Sequence, residues 1–205
     1  MSRQLSTAIS DAVLALSAFR ACAALTPSSM TAVLGFLLIG VAATFGARRF
    51  SSSAPDYWVV QKHQYMSWLA RVLGMSCIAA AYYRSVYNYT TMANVHMALA
   101  LAVCVIQYLN FMSRRYLDML TEITGSGAVV STLVYSVLAM NAYGILGAGL
   151  YAAAGLAVGT VGRQKVLNFY VPRVDIFHYM LAVGNIALLM GLSESATPIF
   201  FYRRG

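Results

Sequence analysis

The sequence predicts an all-α membrane protein, a polytopic bundle of seven transmembrane helices, and three observations support this prediction. Hydrophobic residues make up 60% of the chain and charged residues only 10%, whereas about a quarter of a soluble domain is charged. The apolar residues form long runs, and most runs approach the roughly 20 residues that cross a bilayer core of about 30 Å. The runs are continuous rather than alternating, which favours helices over the strands of a barrel.

Spans one to four are separated by residues that end helices. Pro27 begins a short turn after span one, and the serine-rich linker at 51–56 contains a proline that disfavours continuation of the helix. A polar loop at 84–91 divides the next two apolar runs. The spans are therefore predicted at about 5–25, 30–47, 65–83 and 92–112.

Spans five to seven follow a short amphipathic stretch at 116–123. We expect a tight hairpin at Gly144 and a polar linker at 163–172. The spans are predicted at about 128–143, 145–162 and 173–192, so that residues 1–205 form a single transmembrane domain. Spans five and six are shorter than a full crossing, and the alternative is six spans with a re-entrant hairpin.

The beginning of the chain weakly resembles a cleavable signal peptide. Arg3 precedes the short apolar run 12–19, as in a secretory leader. Asp11 and Arg20 interrupt the apolar character on both sides of that run. We interpret the segment as span one.

The distribution of charge predicts the orientation. Of the 14 basic residues, nine flank the spans on the side of the N-terminus and four on the opposite side. The positive-inside rule then places the N-terminus in the cytosol and the C-terminus in a lumen or outside the cell. Basic residues beside apolar spans indicate contact with the headgroups of a lipid bilayer rather than with nucleic acid. Asn88, in the sequon Asn88-Tyr89-Thr90, is a glycosylation candidate on the lumenal side.

Asp175 and His178 are the strongest candidates for a catalytic or metal-binding site. Three residues apart at the start of span seven, they share a helix face. His63, before span three, is expected at the same depth, and the three side chains could support acid–base chemistry or bind a metal. The alternative is structural, because Asp175 lies where a carboxylate stabilises a helix N-terminus. Three residues also fall short of the four ligands of a structural zinc site.

Arg71 is the most unusual charge, because it falls inside an apolar span. A buried arginine needs a partner, and Asp11, Glu194 and backbone carbonyls are the candidates. Snorkelling of its long side chain to an interface is the alternative. Asp11 is the second intramembrane charge, one to two turns inside span one.

Small residues in span six predict close helix packing. Gly155 and Gly159 form a G-x-x-x-G pattern, which lets two helix backbones approach each other. We expect an internal packing interface, with a homodimer face as the alternative.

The chain resembles the vertebrate transmembrane protein 276 family, which is itself uncharacterised. The resemblance lies in Asn141-Ala142-Tyr143-Gly144 and the small residues after it, in Pro172 and Asp175 followed by Leu181-Ala182-Val183-Gly184, and in Gly35-Phe36-Leu37-Leu38 with Ala42-Ala43-Thr44. It covers spans one, two and five to seven, whereas Arg71 and His178 lie outside the pattern. The resemblance implies a small multi-pass fold and supplies no activity.

Three functions remain open from the sequence. No nucleotide, hydrolase or zinc-protease motif appears in the chain, so we expect no metal and no cofactor. The leading hypothesis is a non-enzymatic scaffold or accessory protein, with membrane-protein partners or a homodimer. The alternatives are a small carrier or channel that uses Arg71, and an intramembrane lipid-modifying enzyme that uses His63, Asp175 and His178.

Overall fold

The protein is a bundle of helices with one small β-hairpin. A computed structural model describes residues 4–158, 163–166 and 169–194. In chain order the elements are α1 (Leu5–Leu25), α2 (Met30–Ser51), α3 (Tyr57–Leu69), a π-helical turn (Ala70–Gly74), α4 (Met75–Ser85), α5 (Thr90–Tyr108), α6 (Arg114–Leu138), α7 (Ala142–Val158), β1 (Arg163–Val166), β2 (Phe169–Pro172) and α8 (Arg173–Glu194).

Within the described residues, four helices are long and apolar enough to cross a membrane. They are α1, α2, α5 and the segment Arg173–Ser193 of α8. Ala142–Leu156 in α7 is apolar but shorter. The predicted helical class is thus confirmed, and the membrane character is supported by four of the seven predicted spans.

The helix α3, the π-helical turn and α4 follow one another without a break. The N–H of Met75 donates to the carbonyl of Ala70, five residues back, which is the bond that defines a π-turn. The segment 57–85 is therefore one rod of about 43 Å at 1.5 Å per residue. Gly35 of α2 packs on this turn, because a Cβ there would lie 2.7 Å from the carbonyl oxygen of Gly74.

The sequence misplaced the breaks around span five. The segment 114–138 is one continuous helix through Gly125 and Gly127, because glycine is tolerated in a helix whose other residues support it. The predicted hairpin at Gly144 is wrong: Met140 turns the chain with φ 54°. The Gly144 N–H then donates to Asn141 Oδ1 over 2.7 Å, so Gly144 lies inside the first turn of α7.

The observed ends of span four and the predicted linker at 163–172 differ less from the prediction. Span four is shorter than predicted, because α5 ends at Tyr108 and Asn110 turns the chain with φ 49°. The predicted polar linker at 163–172 is a β-hairpin, in which Arg163 pairs with Pro172 and Val166 with Phe169.

The first and last helices lie side by side and run parallel. Thr7 contacts Asp175 and Ser17 contacts Asn185, so contacts advance in the same direction on both helices with an offset of 168 residues. Helices α2 and α7 flank this pair. Apolar side chains from α1, α2, α4, α7 and α8 form the main core, including Leu14, Ala18, Phe36, Ile78, Tyr82 and Leu188.

Small residues pack α7 against α8 at Gly147 and Gly184. A Cβ at Gly147 would lie 2.6 Å from Leu188 Cγ, and one at Gly184 would lie 2.9 Å from the Tyr151 ring. A Cβ at Gly155 would meet nothing within 4 Å. Gly155 therefore makes no close contact with the described residues, Gly159 lies outside them, and the packing role of the pair stays a prediction.

Candidate functional site: a polar interface between α1 and α8

Polar side chains line the contact between α1 and α8. We name this set the polar interface; its members are Thr7, Ser10, Asp11 and Ser17 on α1, and Asp175, His178 and Asn185 on α8. All are buried. Spacings of three, four and seven residues place each set on one helix face.

At the N-terminal ends of the two helices, acidic, hydroxyl and imidazole groups contact one another. Thr7 Oγ1 donates to Asp175 Oδ1 over 2.7 Å, and Ser10 Oγ lies 3.0 Å from His178 Nδ1. His178 Nε2 lies 3.5 Å from Asp11 Oδ1. Two carboxyl groups therefore flank one imidazole in a region shielded from solvent.

The second carboxyl oxygen of Asp11 has no hydrogen-bond partner among the described residues. It points at Gly46 of α2, where a Cβ would also lie 2.7 Å from Asp11 Cγ. Only the hydrogen of a glycine leaves room for the carboxyl group at this position. Arg49, one turn further along α2, and Asp175 both act electrostatically on Asp11. The Asp11 carboxyl is thus enclosed by α1, α2 and α8.

Further along the two helices, α7 joins the polar interface. Asn185 Nδ2 donates to Ser17 Oγ over 3.0 Å. The Tyr151 hydroxyl of α7 donates to Asn185 Oδ1, so both ends of the amide are used. Because an amide in an apolar core is costly unless it is bonded, this arrangement ties three helices together.

Of the three residues that the sequence grouped, the structure places two in the polar interface and gives the third a different hydrogen-bond partner. Asp175 and His178 both contact side chains of α1, and Asp11 is one of the side chains beside His178. His63 instead accepts a hydrogen bond from Arg49 at its Nδ1, over 3.1 Å, and its ring packs edge-on against Phe50. No group of three or more His, Cys, Asp or Glu residues in the described ranges is arranged to hold a metal ion.

His63 is kept neutral by its surroundings. Burial, reinforced by the positive charge of Arg49, lowers the pKa of His63 from 6.5 to about 4. A neutral ring is also what the contact needs, because Nδ1 accepts from a guanidinium that can only donate. His63 is therefore a hydrogen-bond acceptor for Arg49 at the edge of the polar interface.

Arg71 has a partner that the sequence did not indicate. Its guanidinium pairs with the carboxylate of Glu122 on α6, whereas Asp11 belongs to the polar interface. The Arg71 and Glu122 side chains are 54% and 63% exposed. Beside the pair, Trp68 Nε1 donates to Thr121 Oγ1 over 2.9 Å. Arg71 therefore lies on the outer surface of the bundle and lines no part of the α1–α8 contact.

At the opposite end of the molecule, Asn88 lies in the exposed turn between α4 and α5, with φ 52°. Nearby, His96 is buried and its Nε2 lies 2.9 Å from Ser131 Oγ. His96 therefore acts in packing between α5 and α6, where its ring also stacks on Tyr83.

The sequence indicated three of the seven members of the polar interface and missed the other four. Ser10, Ser17 and Asn185 looked like isolated polar residues in apolar runs, and only their shared helix face could have indicated a contact. The arrangement can hold and exchange protons, since it combines carboxyl, imidazole and hydroxyl groups within hydrogen-bond or ion-pair distance. No family model, curated protein or solved structure matches the chain.

Proposed function

We propose that this chain is a multi-pass integral membrane protein with seven crossings, a cytosolic N-terminus and a lumenal or extracellular C-terminus. The parallel arrangement of α1 and α8 supports an odd number of crossings, because an even number would make the first and last helices antiparallel. Residues 65–83 of the rod, together with α6 and α7, would supply the three crossings beyond the four apolar helices. The excess of basic residues on the N-terminal side supports the proposed orientation, with the N-terminus in the cytosol.

Its role is that of a non-enzymatic scaffold or accessory protein that binds another membrane protein. The exposed Arg71–Glu122 pair carries this proposal. A charged pair on an apolar helical surface is costly when it faces lipid, and a partner helix that covers it would remove the cost. Near Glu122 in α6, Met119 and Ile123 are exposed apolar side chains, and α5 also carries exposed apolar side chains, among them Leu101, Val105 and Tyr108.

The partner is expected to be a transmembrane helix with a polar side chain at the depth of this pair. Hydrogen bonds between helices in a membrane contribute about 1 kcal/mol each. Two charged groups and the neighbouring apolar side chains would therefore give a specific but reversible contact. A second copy of this chain is the other possible occupant, and a size measurement of the cross-linked product distinguishes the two.

Photo-cross-linking tests the proposal, with a photoreactive residue at Met119. The double variant Arg71→Gln/Glu122→Gln is expected to lose about tenfold of the cross-linked product, which corresponds to about 1.4 kcal/mol. The control is Arg48→Gln/Asp56→Asn, since that ion pair is equally exposed, at 59% and 64%, but lies beside the α2–α3 loop. An absence of product in the unaltered protein, or equal loss in both variants, would reject the proposal.

A small carrier is the second candidate, and the polar interface favours it. Ionisable groups at membrane depth are typical of proton and ion pathways. Asp11, rather than Arg71, would be the central residue. Asp11→Asn should then abolish flux in reconstituted vesicles while Arg71→Gln leaves it unchanged, and unchanged flux in Asp11→Asn would exclude this candidate.

The lipid-modifying enzyme receives less support, since His63 bonds to Arg49 rather than joining Asp175 and His178. Glycosylation of Asn88 remains a proposal, supported by its exposed position in the turn. Treatment with a glycosidase, compared with an Asn88→Gln variant, tests it through the electrophoretic mobility of the protein.

Membership of the transmembrane protein 276 family also remains a proposal. The residues that carry the resemblance include Asn141, Gly144 and Gly184, which lie at close contacts of α7 with α6 and α8. A shared packing of the last helices would explain why such residues recur together. A solved structure of a family member with a different arrangement of these helices would contradict the proposal.

A further inference from the structure

The directions of the hydrogen bonds around His178 are set by Ser10. The Ser10 hydroxyl lies 3.0 Å from the carbonyl oxygen of Thr7 and 3.0 Å from His178 Nδ1. A hydroxyl carries one hydrogen. A carbonyl oxygen cannot donate, so the Ser10 hydrogen must point to Thr7 for that contact to be a hydrogen bond. Ser10 Oγ then accepts from His178, which places a hydrogen on Nδ1.

This assignment leaves the other ring nitrogen facing a carboxyl group. A neutral imidazole with hydrogen on Nδ1 has a bare lone pair on Nε2. That lone pair lies 3.5 Å from Asp11 Oδ1. Were Asp11 ionised and His178 neutral, two acceptors would face each other in a region of low dielectric. The contact is favourable only if a hydrogen lies between the two atoms.

We infer that Asp11 and His178 form a proton-binding site, which holds one proton between Asp11 Oδ1 and His178 Nε2. The ligand is a proton taken from water. It forms an O–H bond on Asp11, with His178 neutral, or an N–H bond on His178, with Asp11 ionised. No other bond is made or broken, and loss of the proton returns it to water.

An independent observation supports a proton at this position. The Oδ2 atom of Asp11 is buried without a hydrogen-bond partner among the described residues. Burial of an ionised carboxylate with an unbonded oxygen has a large desolvation cost. Protonation of the carboxyl group, or pairing with an imidazolium, lowers that cost. The glycine at position 46 supplies no group that could satisfy this oxygen.

The other charged groups around the site do not remove the need for the proton. Asp175, on the same turn of α8 as His178, adds negative charge, and its carboxyl group accepts a hydrogen bond from the Thr7 hydroxyl. Arg49 on α2 acts on Asp11 with the opposite sign, and its guanidinium donates to His63 of α3. A bound proton therefore reduces the repulsion between Asp11 and Asp175 on two facing helices.

Nuclear magnetic resonance of histidine-labelled protein in lipid nanodiscs tests the site. The chain has three histidines, so His63→Gln and His96→Gln leave His178 identifiable. At neutral pH we expect hydrogen on His178 Nδ1, together with either a protonated Nε2 or an infrared band of a protonated carboxyl group. Asp11→Asn, whose amide can donate to Nε2, should lose both signatures and keep the hydrogen on Nδ1.

Two results would overturn the inference. One is a neutral His178 with its hydrogen on Nε2, which would mean that Ser10 donates to Nδ1. The other is a neutral His178 without a protonated carboxyl band that depends on Asp11. The first result is read with Asp11 and His178 intact, so it can overturn the inference even if Asp11→Asn fails to fold. The test does not depend on any partner or transport activity.

Discussion

Asp11 Oδ1 and His178 Nε2 lie 3.5 Å apart, across the contact between the first and last helices. With Thr7–Asp175 and Ser17–Asn185, this pair joins the two ends of the described chain. Such a distant pairing has a considerable loop-closure cost, which packing of the whole bundle must offset. The polar interface therefore fixes the register of α1 against α8, since a shift of one residue would separate all of these groups.

A methyl group at position 46 should destabilise the protein. The Cβ of Gly46→Ala would overlap the carboxyl group of Asp11. This carboxyl group has little room to move, because α1 and α8 enclose it on its other sides. Overpacking of this kind costs about 1–3 kcal/mol. Thermal unfolding in detergent should show a clear loss for Gly46→Ala and none for Gly127→Ala, where nothing lies within 4 Å. Equal unfolding temperatures would contradict the enclosure of Asp11.

The amide of Asn185 should stabilise the junction of α1, α7 and α8. Replacement by leucine removes its bonds to Ser17 and Tyr151 and leaves their hydroxyl groups without that partner. We expect a loss of about 1 kcal/mol, the typical value for such bonds in membrane proteins. Thr44→Val is the control, because the Thr44 hydroxyl donates to the carbonyl oxygen of Gly40 in its own helix. A smaller effect for Asn185→Leu than for the control would refute this role.

Two glycines of α7 should respond differently to the same change. Gly147→Ala would press on Leu188, including its backbone nitrogen at 2.9 Å, whereas Gly155→Ala meets open space. We expect a lower unfolding temperature for the first variant and an unchanged or higher one for the second, because alanine favours helix. The reverse order would contradict this expectation and would support the packing role predicted from the G-x-x-x-G pattern.

His63 should make stability depend on pH. Its pKa is lowered from 6.5 to about 4 in the folded protein, so the unfolded chain takes up a proton there at higher pH than the folded chain does. The contribution of neutral His63 to the free energy of unfolding is complete above pH 6.5 and is lost as the pH falls towards 4. His63→Gln keeps an acceptor for Arg49 and removes the titration. Comparison of unfolding temperatures across this range should show a smaller drop for the variant, and an equal drop would exclude His63 as a cause.

The helices followed from the sequence because apolar runs and their breaks are local properties. Helix α1 has the predicted bounds, and α2 and α8 begin where expected. The errors arose where local signals compete with packing. Gly125 and Gly127 favour a break on their own, yet Arg71 packs on Gly125 and the helix continues.

Only part of the candidate site could be predicted from the sequence. Asp175 and His178 were identified from their spacing, but their partners on α1 could not be, because a contact over 168 residues depends on how the helices pack. Asn185 carried a weak local signal as a lone amide in an apolar run. Likewise Arg71 was recognised as unusual, while its pairing with Glu122 depends on the contact between the π-helical turn and α6.

The sidedness of two tags, one before α1 and one after α8, tests the central claim most directly. Parallel first and last helices in a membrane require the tags to lie on opposite faces. We predict that selective permeabilisation exposes the N-terminal tag on the cytosolic side and leaves the C-terminal tag protected or outside the cell. Both tags on the same face would contradict the seven-crossing arrangement and the pairing of α1 with α8 on which the polar interface depends.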